Sequence, residues 1–279
     1  MGDLKQSGAV SEKTIDAALQ RLAATFPHVA VSIGPGEDGF YPASVAWDAD
    51  TGDIGSYLAY QTRFANGMDE RTRAAHLAAF YSHQFSIVAV FLYLAAGITI
   101  DEDPRNVLIR FEAPEQPDPR MPPDVRRFHF RFFGAFLPVG ENTADAFHDV
   151  FVSHMTPVIA GIKRHTGFSA AAQWRLAADS LAGAFLEVGR ALDCESDAVD
   201  MAMKLVRRNE SPLLSPDLRF ETIEAVVDGK PIRRTFRLRG GCCLFYRTEE
   251  GRFCDSCVLL DADSKRARLR AFMEGTGHP

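Results

Sequence analysis

The stretch GGCCLFYRTEEGRFCDSCVLL, residues 240–260, decides how the chain has to be divided. It places Cys242, Cys243, Cys254 and Cys257 within sixteen positions, in a chain of 279 residues that has five cysteines in all. Thiols at that density need a common purpose, either covalent pairing or a shared metal. The segment MGDLKQSGAVSEKTIDAALQ (1–20) carries charge at intervals and lacks the apolar core of a secretory signal, which predicts a cytoplasmic protein. In a reducing compartment structural disulfides are disfavoured, so the cluster reads first as a metal or redox centre.

Working outward, residues 220–240 (FETIEAVVDGKPIRRTFRLRG) form two runs about Asp228-Gly229, a hairpin signal. Asp263 to Met273 reads as a short closing helix. Upstream, Ser11 caps a helix to Phe26 whose stripe is Ile15, Ala18, Leu19, Leu22 and Phe26. Val29 to Gly34 is strand-like, and PGEDGFYPAS (35–44) is turn-rich. Met68 to Gly97 is the strongest helix, capped by Asp69 and central to the core. Asn106 to Glu112 and Phe128 to Val139 look extended around a proline-rich loop, and Phe128, Phe130 and Phe132 alternate with His129 and Arg131 as in a strand with one buried face. Asn142 to Arg207 predicts three helices with breaks at 167–169 and 193–195. The expected fold is α+β: a mainly helical body with a small mixed sheet (1–212), then a module of hairpin and cysteine loop (213–279).

Two function classes are excluded at this level. A net charge of −6 lacks the basic footprint of a nucleic-acid binder. The apolar stretch Phe85 to Ile100 has sixteen residues, short of the about 18 to 20 that cross a bilayer. It reads as a buried helix end running into a strand or loop, and peripheral association is the membrane contact left open.

Four thiolates make a soft, anionic donor set that suits zinc or an iron–sulfur cluster. The pair Cys254-x-x-Cys257 is common to both. Adjacent Cys242 and Cys243 are more informative, because neighbours on an extended chain face opposite ways and need a bend, which Gly240-Gly241 supply, to share one site. A two-iron cluster is broader than one zinc ion and accepts sulfurs from more directions. The geometry favours iron–sulfur and leaves zinc as the alternative. Cys194 reads as a small packed residue at a helix junction.

The arrangement Cys-Cys, ten residues, Cys-x-x-Cys also resembles the C-terminal signature of FhuF-type ferric siderophore reductases. Outside the motif the likeness rests on chain length, the motif's terminal position and the helical middle around Gln173-Trp174-Arg175-Leu176. The resemblance implies a [2Fe–2S] cluster on Cys242, Cys243, Cys254 and Cys257, and a reductase that passes one electron to the Fe(III) of a ferric siderophore and releases Fe(II). Hydroxamate chelates are the expected substrates, because catecholates hold Fe(III) too strongly relative to Fe(II). A zinc-stabilised binding domain and an iron–sulfur redox or iron sensor are the competing readings.

In that light three further groups become candidates. Arg233, Arg234, Arg237, Arg239, Arg247 and Arg252 fall within twenty residues of an acidic protein. They form either a solvated hairpin face or, for the first four, a docking surface for an acidic electron donor such as a ferredoxin or flavodoxin-like protein. Arg127 and Arg131, among phenylalanines that belong to the core, are placed to meet an oxygen-rich iron chelate, as is His83 between Tyr81 and Gln84. The pairs His76/His83 and His148/His154 lack the i, i+4 spacing of a two-histidine metal site and read as packed or surface residues.

Overall fold

The computed structural model describes residues 12–100, 103, 105–114, 124–133, 137–138 and 143–276. The N-terminal part contains α1 (Glu12–Thr25), β1 (Ala30–Ile33), β2 (Tyr41–Pro42), α2 (Ala43–Ala46), α3 (Ile54–Gln61) and α4 (Glu70–Ala96). Next come β3 (Ile98–Thr99), β4 (Val107–Glu112), β5 (Arg127–Phe132) and β6 (Leu137–Pro138), then α5 (Thr143–Thr166), α6 (Ala170–Ala191) and α7 (Glu195–Val206). The chain closes with β7 (Arg219–Val227), β8 (Lys230–Leu238) and α8 (Ala262–Met273). The expected α+β class holds.

Helix α4 organises the body. Asp69 caps it by accepting the Thr72 amide at 2.7 Å, and Gly97, at φ 62°, ends it in the left-handed conformation that glycine adopts without strain. Gln84 to Tyr93 are all buried, so over that stretch the helix has no solvent face. It is long and apolar enough to cross a membrane, yet 78% of its most apolar window is covered by the rest of the fold. Helix α6 packs along it, with the Ser180 hydroxyl donating to the Ala79 carbonyl at 3.2 Å. Helix α5 closes the other side. A side chain at its Gly161 would run into the Trp47 carbonyl, so the two backbones touch there.

The sheet order is β1-β5-β4-β2, with β1 parallel to β5 and the other pairs antiparallel. Phe128, Phe130 and Phe132 point inward and are buried, as the alternation predicts. They meet Tyr81, Phe85 and Trp47; the Tyr81 and Phe128 ring centroids are 4.8 Å apart. Arg127, His129 and Arg131 take the opposite face.

Two details differ from the sequence expectations. The second extended segment stops as β5 at Phe132, and the chain returns as β6 to pair with β3, Leu137 opposite Thr99. Residues 41–61 hold β2, α2 and α3, although the glycines and prolines before them suggest only turns. The stripe Ile54, Tyr57, Leu58, Gln61 is buried and is the helical signal there. The Ser11 cap lies outside the described residues.

The C-terminal hairpin turns at Asp228 (φ 52°) and Gly229 (φ 73°), as its sequence predicts. One face carries Ile223 and Leu238, which pack with Leu269 of α8 into a small core of their own, flanked by Phe236 and Met273. The other face turns toward α6.

Candidate metal centre

Past Leu238 the chain bends at Gly240 and Gly241 and is pressed against the body. The carboxylate of Asp179, 1% exposed on α6, accepts the amide protons of Gly240 at 2.8 Å and Gly241 at 2.9 Å. Close approach is what requires glycine. A Cβ at Gly240 would strike Ser215 Oγ and come within 3.0 Å of the Leu218 nitrogen; one at Gly241 would lie 3.1 Å from the backbone of Arg175 and Leu176. Cys242 and Cys243 are therefore held in a slot between α6 and residues 213–218.

A second change of direction follows at Leu244, a non-glycine residue at φ 60°, which starts the single 3-10 turn Phe245–Arg247. This turn docks on the start of α4, where Arg247 pairs with Asp69 at 2.8 Å and the Glu249 amide donates to the Asn66 carbonyl at 3.1 Å. Returning, the chain makes a tight turn in which the Cys257 amide donates to the Cys254 carbonyl at 2.9 Å. The Arg239 amide donates to the Ser256 carbonyl at 3.0 Å, and Arg268 of α8 donates to the Phe253 carbonyl at 2.8 Å. These ties bring the two cysteine pairs face to face, with the thiols of Cys243 and Cys254 in hydrogen-bond contact.

All five cysteines are free thiols. Cys257 is buried, and the other three of the motif are half-buried. The hydrogen bond from Cys254, helped by Arg239, holds Cys243 down at about 5; the shared proton and burial push Cys254 up. Burial also raises Cys242. Around Arg239, burial works against the charge, but Asp179, Cys243 and Cys254 outweigh it and keep the guanidinium protonated. Among the described residues no three His, Cys, Asp or Glu side chains form a group that would hold one metal ion as they stand. The donor set is instead two facing thiol pairs, with cations beside them and no carboxylate or imidazole ligand. That composition fits a two-iron cluster with four thiolate ligands.

The arginines divide. Arg233 and Arg234 are exposed on the outer half of the hairpin, where Arg233 pairs with Glu224 at 3.1 Å and Arg234 lies over the Phe236 and Phe272 rings. They border a cleft of about 560 Å³ with Arg190, Glu195, Thr222, Ile232 and Thr235. Arg237 and Arg239 turn inward. Arg239 Nε is 3.4 Å from the Asp179 carboxylate, and Arg237 donates to the Asp179 carbonyl in space left by Gly183. The four residues do not share one exposed surface, because α6 covers the inner pair.

Among the expected chelate contacts, Arg131 is engaged by Glu37 at 2.7 Å and lies over Phe40. Arg127 stands four residues back on β5, about 13 Å away at strand rise, and donates to the Pro27 carbonyl at 3.0 Å. Pro27 precedes His28, whose ring is parallel to that of His83 at 6.3 Å. The structure thus brings Arg127 toward His83 and leaves Arg131 apart. The other histidines of the two sequence pairs are packed: His76 bonds Gln61, His148 bonds Asp149 and Ser211, and His154 bonds Tyr81 in the core. Cys194 occupies the N-cap position of α7, half-buried and away from the motif. Asp179 escapes the sequence reading. Its signal is a lone acid in AAAQWRLAADSLAGAFL (170–186), part of a helix packed on several sides.

Compared with known protein families, residues 76–222 match the family described as ferric iron reductase FhuF-like transporter, and residues 239–259 match the FhuF 2Fe-2S C-terminal domain. No curated protein matches the chain.

Proposed function

Since the chain belongs to the FhuF-like ferric iron reductase family and carries its [2Fe–2S] domain, we propose that it reduces ferric siderophores in the cytoplasm, with Cys242, Cys243, Cys254 and Cys257 as the cluster ligands. The observation that carries this reading is the facing of the two thiol pairs over the inward-turned Arg237 and Arg239. A bound [2Fe–2S] cluster supplies one electron at a time, at a potential that the surrounding protein tunes.

The residues of the chain do the rest. Asp179 fixes the loop that presents Cys242 and Cys243. Arg237 and Arg239 set positive charge beside the thiolates, which favours the more negative, reduced form. Substrate Fe(III) accepts one electron and becomes Fe(II), which hard oxygen donors hold far less tightly, so iron leaves the chelate. Hydroxamate chelates suit this chemistry better than tris-catecholates, because each ~59 mV of mismatch in a one-electron step costs a factor of ten in equilibrium. The electron donor is an acidic protein of the ferredoxin or flavodoxin kind, for which the exposed Arg233 and Arg234 offer opposite charge. Five free thiols suit a reducing compartment.

The test is a titration of anaerobically purified protein. Its visible spectrum should bleach on reduction with dithionite and recover on adding ferrioxamine or a ferrichrome-type complex with a ferrous chelator present, and much more slowly with ferric enterobactin. A colourless protein containing zinc would overturn the cluster, and a cluster that no ferric chelate reoxidises would make the protein a sensor.

A further inference from the structure

Five polar side chains from five separate parts of the chain meet beside the cysteine loop: His28 after α1, His83 on α4, Arg127 on β5, Glu187 on α6 and Arg237 on β8. His28 and His83 are parallel at 6.3 Å, and His83 Nε2 lies 3.8 Å from Glu187 Oε2. Arg127 is anchored to the Pro27 carbonyl next to His28. Arg237 is anchored to the Asp179 carbonyl, on the same residue that holds Gly240 and Gly241. It is electrostatically coupled both to Glu187 and to Cys254.

No packing requirement explains this convergence. The side chains of His83 and Glu187 remain 34% and 46% exposed, so this edge of the group faces solvent. The Nε atoms of Arg127 and Arg237 are buried and have no hydrogen-bond partner among the described residues. Both imidazoles are kept toward the neutral form by burial, and burial raises the Glu187 carboxyl. The permanent charges are thus two guanidinium groups against a single carboxyl.

Resting on the reductase reading, we propose that these five residues seat the ferric chelate and select chelates that carry a free carboxylate over chelates that carry an ammonium group. Guanidinium and imidazole N–H groups donate to the chelate's oxygens, and the free carboxylate pairs with a guanidinium, the strongest polar contact such a set can make. A chelate seated against His83 and Glu187 has Arg237 behind it and lies next to the cluster loop, as electron transfer requires.

The experiment uses holoprotein and gallium(III), which has the charge of Fe(III) but is not reduced under these conditions. Affinities are measured for gallium desferrioxamine B, which ends in an ammonium group, and for its N-succinyl derivative, which has the same hydroxamates but ends in a carboxylate. The succinyl form should bind at least about ten-fold tighter. Arg127→Gln should abolish the difference and Arg127→Lys should retain most of it, while His83→Gln should weaken both chelates. Equal affinities in the wild type, or an undiminished preference in Arg127→Gln with an intact cluster spectrum, overturn the proposal. In that case the iron forms of the two chelates separate the failures: if they still reoxidise the protein, this seat alone falls, and if neither does, the reductase reading falls with it.

Discussion

The Asp179 carboxylate accepts the amide proton of Gly241 at 2.9 Å, joining two residues 62 positions apart. Asp179 also accepts from Gly240 and faces Arg239, so it is the main tie between the α6 helix and the cysteine loop. Asp179→Ala would leave two amides and a guanidinium without their acceptor, at a cost of about 3–5 kcal/mol. Asp179→Asn keeps the shape and one acceptor oxygen, and should cost about 1–3 kcal/mol. Urea unfolding followed through the cluster absorbance checks both values. A wild-type midpoint in Asp179→Ala would show that the loop is held elsewhere.

Serine at Cys242, Cys243, Cys254 or Cys257 should lose or severely destabilise the cluster, because a hydroxyl is a harder ligand than a thiolate and leaves an iron open to water. Cys194→Ser should keep it. Iron and sulfide analysis of the five purified variants decides the ligand set, and full occupancy in any two of the four motif variants would break it.

The slot around Gly240 makes a prediction about space. Gly240→Ala forces a methyl group against Ser215 Oγ and the Leu218 nitrogen, and should destabilise the protein by about 1–3 kcal/mol. Adding Ser215→Ala removes the first clash, so the double variant should recover part of that loss. Strict additivity of the two changes, in thermal or urea unfolding, would mean that the loop has moved away instead.

Acid should weaken the fold through its buried histidines. Burial holds His154 at about 3, and burial, reinforced by Arg239, holds His76 at about 4, against an ordinary value of 6.5. The folded values lie below the unfolded one, so the unfolded chain binds more protons in between. Their stabilising contribution is complete above pH 6.5 and is lost as pH falls toward 4 and then 3. His154→Gln preserves a partner for Tyr81 but takes up no proton, and its denaturation midpoint should fall less between pH 7 and pH 5 than that of the wild type. Parallel declines would remove His154 from the account.

Local chemistry was readable in the sequence wherever it acted over a few residues. The Asp69 cap, the Asp228-Gly229 turn, the helix breaks near 167–169 and 193–195 and the cysteine spacing all depend on near neighbours, and all appear in the fold. What stayed hidden depends on distant partners. Arg233 and Arg237 share a face of β8 by strand parity, yet one is exposed and the other covered, because α6 reaches only part of the way along the hairpin. Asp179 looked like one acid among many until the chain 61 residues later was laid against it. Arg127 and Arg131 looked alike until Glu37 engaged one, and the Pro27-His28 turn the other.

The socket around Gly240 and Cys243 has a consequence for how the protein matures. Its walls are Asn66 and Asp69, Arg175 to Asp179, and Ser215 to Leu218, and every one of them precedes the cysteines in the chain. Ribosomes deliver N-terminal segments first, at about 5–20 residues per second. The walls therefore emerge before the ligands do, and the cysteine loop enters a receptacle whose parts have already been translated. The cysteine ligands are in this sense late arrivals, made only after the surfaces that hold their loop.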